Sequence, residues 1–282
     1  LLIICLFFSC QEEIYFDNAY CIQNVNVVDP IEGLMEEMTL VVKENKILQI
    51  VKQEDLRLSR KNNIIDGSHK YLIPGLWDSH VHFYFDRELA LHMPELFLSS
   101  GITSVRDTGG AFWYVDSIRQ NALNHPKTHP RVKIAGPLID GNFNVYNGSV
   151  LPELSIRTQT VSESIAETER LVAQGVDFLK AYEMLSPAQF EAIAGIAKRE
   201  NLRLAGHVPL SMEITRAIAL GLNSLEHIKN LELEAVKNSD SMLLERRKML
   251  KNQAYLPGRE LRGNIHQLQK QFAVDHLALE AY

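Results

Sequence analysis

Residues 74–82, Pro74-Gly75-Leu76-Trp77-Asp78-Ser79-His80-Val81-His82, place an apolar strand behind a Pro-Gly turn and end it on two imidazoles. Side chains alternate across a strand, so His80 and His82 share one face. Imidazole is the commonest protein ligand for metals, and two on one rigid strand end make a preorganised pair for zinc or a similar ion. Alone, the same pattern also describes two surface histidines near a turn.

Upstream of this stretch, over residues 20–73, short apolar runs alternate with turn signals. The runs are Cys21 to Val28, Met38 to Val42, Ile47 to Val51 and Ile64 with Ile65; the turns are Asp29-Pro30, Gly33, Glu44-Asn45 and Asp66-Gly67. This predicts a small all-β unit. Downstream, over residues 74–282, the period changes to strand, helix, strand, which predicts an α/β fold with a parallel sheet. Strands are expected near Leu76 to Val81, Ile102 to Arg106, Val132 to Ala135, Val176 to Ala181, Leu202 to Ala205 and Ser224 to His227. Ser162 to Ala173 reads as a helix stopped by Gly175, and Ser186-Pro187 opens another with Phe190, Ile193, Ala194 and Ala197 at helical spacing. A closed (β/α)8 TIM-type barrel needs two units beyond these six. Leu231 to Tyr282 is helix-like with a break at Pro257-Gly258, so the barrel is expected to be truncated, with its last strands beyond Tyr282.

The 282 residues are 46% hydrophobic and 23% charged, which excludes disordered, collagen-like and disulfide-scaffold classes. A net charge of -6 with no basic run speaks against a nucleic-acid partner. Leu1 to Phe8 is apolar but too short to span a bilayer, which takes about 20 residues. It suits the h-region of an export leader over residues 1–19, clipped at its start, with Ser9-Cys10 resembling a bacterial lipoprotein processing site. Cys10 would then be the lipidated N-terminus of a periplasmic or outer-membrane lipoprotein, and a lipid anchor the chain's one link to a membrane. A buried N-terminal strand is the other reading. Cys21 is left as an unpaired thiol.

Lys180, in Val176-Asp177-Phe178-Leu179-Lys180-Ala181-Tyr182, falls by alternation on the face of Val176, Phe178 and Tyr182. A lysine there either snorkels to solvent or carries an amine with a lowered pKa. His207 in Ala205-Gly206-His207 and His227 in Ser224-Leu225-Glu226-His227 close the next two predicted strands. Lys180 and His207 are 27 residues apart and His207 and His227 are 20 apart, each compatible with one strand-helix unit. In a barrel these ends meet at one mouth, where such folds hold their chemistry. His69, His92, His125, His129, His266 and His276 fall in predicted loops or helices and read as surface residues.

With these residues in view, the sequence from about Cys21 to Ile228 resembles the amidohydrolase superfamily, specifically the imidazolonepropionase-like and prolidase-like metal-dependent hydrolases. The resemblance rests on Asp66-Gly67 with Tyr71 to His82, on Gly136-Pro137-Leu138-Ile139-Asp140-Gly141, on Asp177 to Tyr182, and on Ala205-Gly206-His207-Val208-Pro209. It implies that the β unit is part of a small β-sandwich. It also implies two divalent metal ions, zinc first among them, with His80 and His82 on one, His207 and His227 on the other, and Lys180 bridging both as a carbon-dioxide-derived carbamate. Tyr182 would touch substrate or its carbonyl oxygen, or else be a core tyrosine. The family's last metal ligand and proton shuttle is an Asp after the eighth strand, expected beyond residue 282. Asp78 reads as a supporting residue, and Asp240 and Asp275 lie in helix-like sequence.

Two functions follow as expectations. One is an exported metallohydrolase cleaving an amide bond in a dipeptide or cyclic amide with metal-activated water. The other is a non-catalytic binding lipoprotein that keeps the barrel scaffold. Substrate, metal identity and oligomeric state are not legible in the residues.

Overall fold

The computed structural model describes residues 14–149, 151–227, 230, 239–252 and 258–269. The chain divides into two compact units between Gly75 and Leu76. Cys10, the rest of the expected leader through Glu13, Pro257, Asp275 and His276 lie outside the described residues.

The first unit contains β1 (Ile14–Phe16), β2 (Tyr20–Asp29), β3 (Gly33–Lys43), β4 (Lys46–Lys52), β5 (Leu56–Leu58), β6 (Asn63–Asp66) and β7 (Tyr71–Leu72). Strands β2, β3 and β4 form an antiparallel meander, and β6 and β7 add parallel to β2. Local chemistry sets the hairpins. Asp29 Oδ1 accepts from the Ile31 and Glu32 amides at 2.8 and 2.9 Å, which bends the first turn. Glu44 and Asn45 both take left-handed φ, 51° and 61°, as a two-residue hairpin turn requires.

The unit reaches back further than the sequence suggests. Ile14–Phe16 pairs in parallel with Leu56–Leu58, and the buried Ala19 amide donates to Asn62 Oδ1. Strands this short carry too little periodicity to be seen in the sequence. What the sequence presents as part of a sandwich is, among the described residues, a five-stranded sheet with a two-stranded ribbon. Cys21 is buried and free, and burial pushes its thiol pKa up.

The second unit is mixed α/β with parallel sheets. It runs β8 (Leu76–Val81), α1 (Met93–Ser99), β9 (Ile102–Asp107), α2 (Phe112–Asn124), β10 (Arg131–Ile134), β11 (Leu138–Asp140), β12 (Ser155–Arg157), α3 (Val161–Ala173), β13 (Leu179–Ala181), α4 (Pro187–Arg199), β14 (Leu204–Gly206), α5 (Ile214–Leu220), β15 (Leu222–Leu225), α6 (Ser239–Asn252) and α7 (Gly258–Gln269). One parallel sheet has the order β10-β9-β8 and the other β12-β11-β13-β14-β15. The Asp177 amide donates to the Ile134 carbonyl at 2.9 Å, linking the end of β10 to the approach to β13.

The helices start and stop where their residues direct. Thr160 caps α3 by accepting from the Glu163 amide, and Gly175 takes φ 77° just past its end. Ser186 and Gln189 form a reciprocal capping box around Pro187 at the head of α4. Leu171, Phe190, Ile193, Ala217 and their neighbours pack against Leu179, Ala181 and Leu204, forming the core under the five-stranded sheet. Val176 belongs to that helix-side core, so the expected alternation begins at Phe178 rather than at Val176. Strands β11 and β12 were not anticipated. They are held by Asp140, whose carboxylate accepts from the Gly141, Val145 and Met184 amides at 2.8–3.0 Å. No helix among the described residues is long and apolar enough to cross a membrane.

Candidate metal centre

His80 sits on β8 and His82 one residue past its end. The His82 Nδ1–H donates to the Gly109 carbonyl at 2.8 Å, and the His80 Nδ1–H to Glu226 Oε2 at 2.5 Å. A carbonyl or carboxylate oxygen can only accept, so in each neutral ring Nε2 carries the lone pair; Thr108 Oγ1 stands 3.3 Å from His82 Nε2. The two Nε2 atoms stand 3.2 Å apart. Facing lone pairs repel at that distance, and either a proton on one ring or a metal cation between the two relieves the repulsion. Tetrahedral zinc with bonds of about 2.1 Å spaces two ligand nitrogens by roughly 3.4 Å, so the pair fits such an ion. Gly109 is required here: a Cβ would come within 3.1 Å of His82 Cε1 and 2.8 Å of Leu138.

Lys180 points away from the helices and is 1% exposed. Its Nζ has no hydrogen-bond partner and lies 3.9 Å from Glu226 Oε2. Burial, opposed by Glu226 and aided by Arg106, pulls its pKa down to about 7. An amine that is buried, unpartnered and largely unprotonated just above neutrality has the chemistry that carboxylation needs.

His207 follows Gly206, where β14 passes so close to β13 that a Cβ would meet the Ala181 carbonyl oxygen at 2.4 Å. His227 lies past the end of β15 in a left-handed conformation, φ 59°, unusual for a residue with a Cβ and commonest where a site dictates it. The rings form a continuous strip: His82 to His80 at 5.1 Å between centroids, His80 to His227 at 4.6 Å, and His227 to His207 at 5.1 Å. Burial pulls His82 and His207 down to about 4, so both are neutral and able to ligate near pH 7. Tyr182 is buried with its ring 4.4 Å from that of His207. Among the described residues, no three His, Cys, Asp or Glu side chains form a metal cage by themselves.

Four residues around these rings escaped the sequence reading. Glu226 accepts from His80, from Arg106 at 2.5 Å and from Ser224 at 2.9 Å; burial works to raise its pKa, and the His80 bond, the Lys180 charge, the Ser224 bond and the Arg106 charge together hold it low. Glu183, fully buried, accepts from His207 Nδ1 at 2.5 Å and from Arg262, and is likewise held well below the carboxylate range. Arg106 also donates to the Ser79 carbonyl at 2.8 Å, joining β8 and β9 to the segment after β15. A hint existed for the glutamates, since each adjoins a predicted strand end in sequence; nothing marked the arginines. Asp78 Oδ1 accepts from the His80 amide at 3.1 Å. Of the histidines expected at the surface, His69, His92 and His125 are exposed and His129 half-buried. His266 departs from that expectation, because α7 brings its Nε2 to 4.0 Å from Glu183. Asp240 is exposed at the start of α6.

Residues 71–271 match the family model described as Amidohydrolase family. An adenine deaminase of Clostridium perfringens is 26% identical over 215 residues, covering 70% of this chain and 35% of its own length. A dihydroorotase of Clostridioides difficile is 44% identical over 62 residues, 22% of this chain and 14% of that one. The chain thus spans about a third of the deaminase. A prolidase solved in complex with N-methylphosphonate-L-proline shares the fold at TM-score 0.66 and 20% identity, over 90% of this chain and 73% of that one.

Proposed function

Because the chain belongs to the amidohydrolase family, we propose that it is a metal-dependent hydrolase of an amide carbon-nitrogen bond, in a dipeptide or a cyclic amide. The observation that carries this is the convergence of the His80 and His82 Nε2 atoms, 3.2 Å apart, beside the unpartnered Lys180 amine. In this reading His80 and His82 would hold one divalent ion, zinc first among the alternatives, and His207 and His227 a second, and a carboxylated Lys180 would supply anionic oxygen ligands. Such ions, when bound, polarise a scissile carbonyl and make water nucleophilic near neutral pH.

The chain's own residues prepare that chemistry. Glu226 and the Gly109 carbonyl fix the tautomers of His80 and His82 before anything binds. Burial favours the neutral form of His82 and His207 and leaves the Lys180 amine with the free lone pair that carboxylation by carbon dioxide, with release of one N–H proton, would need. Tyr182 walls the side of His207 and excludes water there. The two parallel sheets are read as consecutive wall of one (β/α)8 barrel, supported by the bond from Asp177 to Ile134. The N-terminal segment with its Ser9-Cys10 junction is read as an export leader with Cys10 lipidated, which fatty-acid labelling of wild type against Cys10→Ser tests.

The test is metal content of the full-length protein and of His80→Ala, with hydrolysis of Xaa-Pro dipeptides and cyclic amides. Bound metal lost in His80→Ala and turnover lost in Lys180→Ala support the proposal. Equal, near-zero metal in both proteins would sink it. Metal retained with no turnover of any amide would favour the binding lipoprotein.

A further inference from the structure

His207 and Glu183 are coupled to a helix far along the chain. Glu183 is fully buried, and its Oε1 accepts both His207 Nδ1–H at 2.5 Å and Arg262 Nη2–H at 3.0 Å. Its Oε2 accepts Arg262 Nε–H at 2.5 Å. The guanidinium therefore grips both carboxylate oxygens, which fixes the plane of the carboxylate as well as its position. Arg262 is itself held in place. On α7, Leu261 and Ile265 are fully buried in the cluster that contains Leu138, Tyr182 and Met184. The head of the helix sits so close to the loop after β11 that a Cβ on Gly258 would strike the Phe143 carbonyl.

A matching arrangement exists across the strip of rings. There Arg106 holds Glu226, and Glu226 accepts from His80 Nδ1. In both cases an arginine fixes a buried glutamate, the glutamate accepts the hydrogen bond from Nδ1–H, and the neutral imidazole presents Nε2. We propose that Arg262 is a positioning residue that, through Glu183, locks His207 in the Nδ1–H tautomer with Nε2 presented to the centre. The inference rests on the metal-dependent reading for its purpose, but the tautomer it concerns exists without metal.

The experiment therefore reads the metal-free, full-length protein first. Long-range proton-nitrogen spectra of the histidine rings report which nitrogen carries hydrogen. Wild type should show His207 as a single Nδ1–H tautomer, and Arg262→Met a mixture. Arg262→Lys should restore the wild-type pattern only in part, since a point charge cannot grip both oxygens. Arg259→Met, on the exposed face of the same helix, controls for helix stability. In metal-loaded protein, Arg262→Met should lose metal to a chelator about 10-fold more readily than wild type, at the low end for lost outer-shell partners. If Arg262→Met does not fold, Glu183→Gln tests the same link, because an amide no longer obliges Nδ1 to donate.

A folded Arg262→Met with the wild-type His207 pattern and wild-type metal retention overturns the inference. A lowered melting temperature with that pattern unchanged also overturns it, since the pair would then only anchor the helix. If wild type carries the single tautomer and Arg262→Met mixes it, yet neither binds metal, the metal-dependent reading fails and the positioning role stands.

Discussion

Lys180 Nζ lies 3.9 Å from Glu226 Oε2, within reach of its charge and beyond hydrogen-bonding distance. The lysine is thus buried on the strength of a partial partner, and Glu226 is already committed to His80, Arg106 and Ser224.

That arrangement makes the metal-free fold pH-dependent. The folded pKa of Lys180, about 7, lies below its ordinary 10.5. Between those values the unfolded chain binds more protons, so this lysine makes stability rise with pH from about 7 to about 10 and leaves it level below 7. Lys180→Met should remove that slope and stabilise the metal-free protein at pH 7 by about 2 to 4 kcal/mol, while abolishing turnover. Urea unfolding at pH 6, 8 and 10 checks it; a wild-type slope in Lys180→Met would refute the assignment.

Glu226→Gln should weaken metal binding by about 10- to 100-fold, because the amide can turn its N–H2 toward His80 and release the ring's tautomer. Chelator competition measures it. Unaltered retention would mean that Glu226 serves packing alone.

At Gly206 the prediction concerns the backbone. An added Cβ lies 2.4 Å from the Ala181 carbonyl oxygen, on the strand that carries Lys180. Gly206→Ala should therefore part β13 from β14 and cost at least about 3 kcal/mol, by the overpacking penalty. A melting temperature within a degree of wild type would contradict the close approach.

Asp140→Asn replaces an oxygen that accepts from a backbone amide with an N–H2 that cannot. With three amides converging on this carboxylate, the loss should be about 2 kcal/mol. The loop after β11 should also become more open to limited proteolysis. An unchanged cleavage pattern would refute the tie.

The sequence singles out His80, His82, Lys180, His207 and His227 because each ends or borders an apolar run of strand period; the structure lines the four imidazoles up in one strip, with Lys180 near the Glu226 that His80 meets. Glu183 and Glu226 were not legible there, since their roles depend on pairings 24 and 146 residues away. Arg262 could not be found at all: helix period says which face is apolar, and Leu261 and Ile265 mark that face, but nothing local says which buried charge the neighbouring arginine meets. The larger β unit was legible through alternation in β2 and β3, whereas β1, β5, β7, β11 and β12 are too short to show a period. Val176 misled the alternation because the chain enters β13 only at Leu179.

Arg106, on β9, ties Ser79 of β8 to Glu226, and this bears on synthesis. His80 leaves the ribosome long before the glutamate that accepts its hydrogen bond, and 146 residues separate them. At about 5–20 residues per second, that interval is roughly 7–30 seconds. Throughout it His80 has no Glu226 to set its tautomer, and Arg106 has no anchor beyond its own neighbours. The bond from His80 to Glu226 can thus form only late in the life of the chain, after β15 has followed β8.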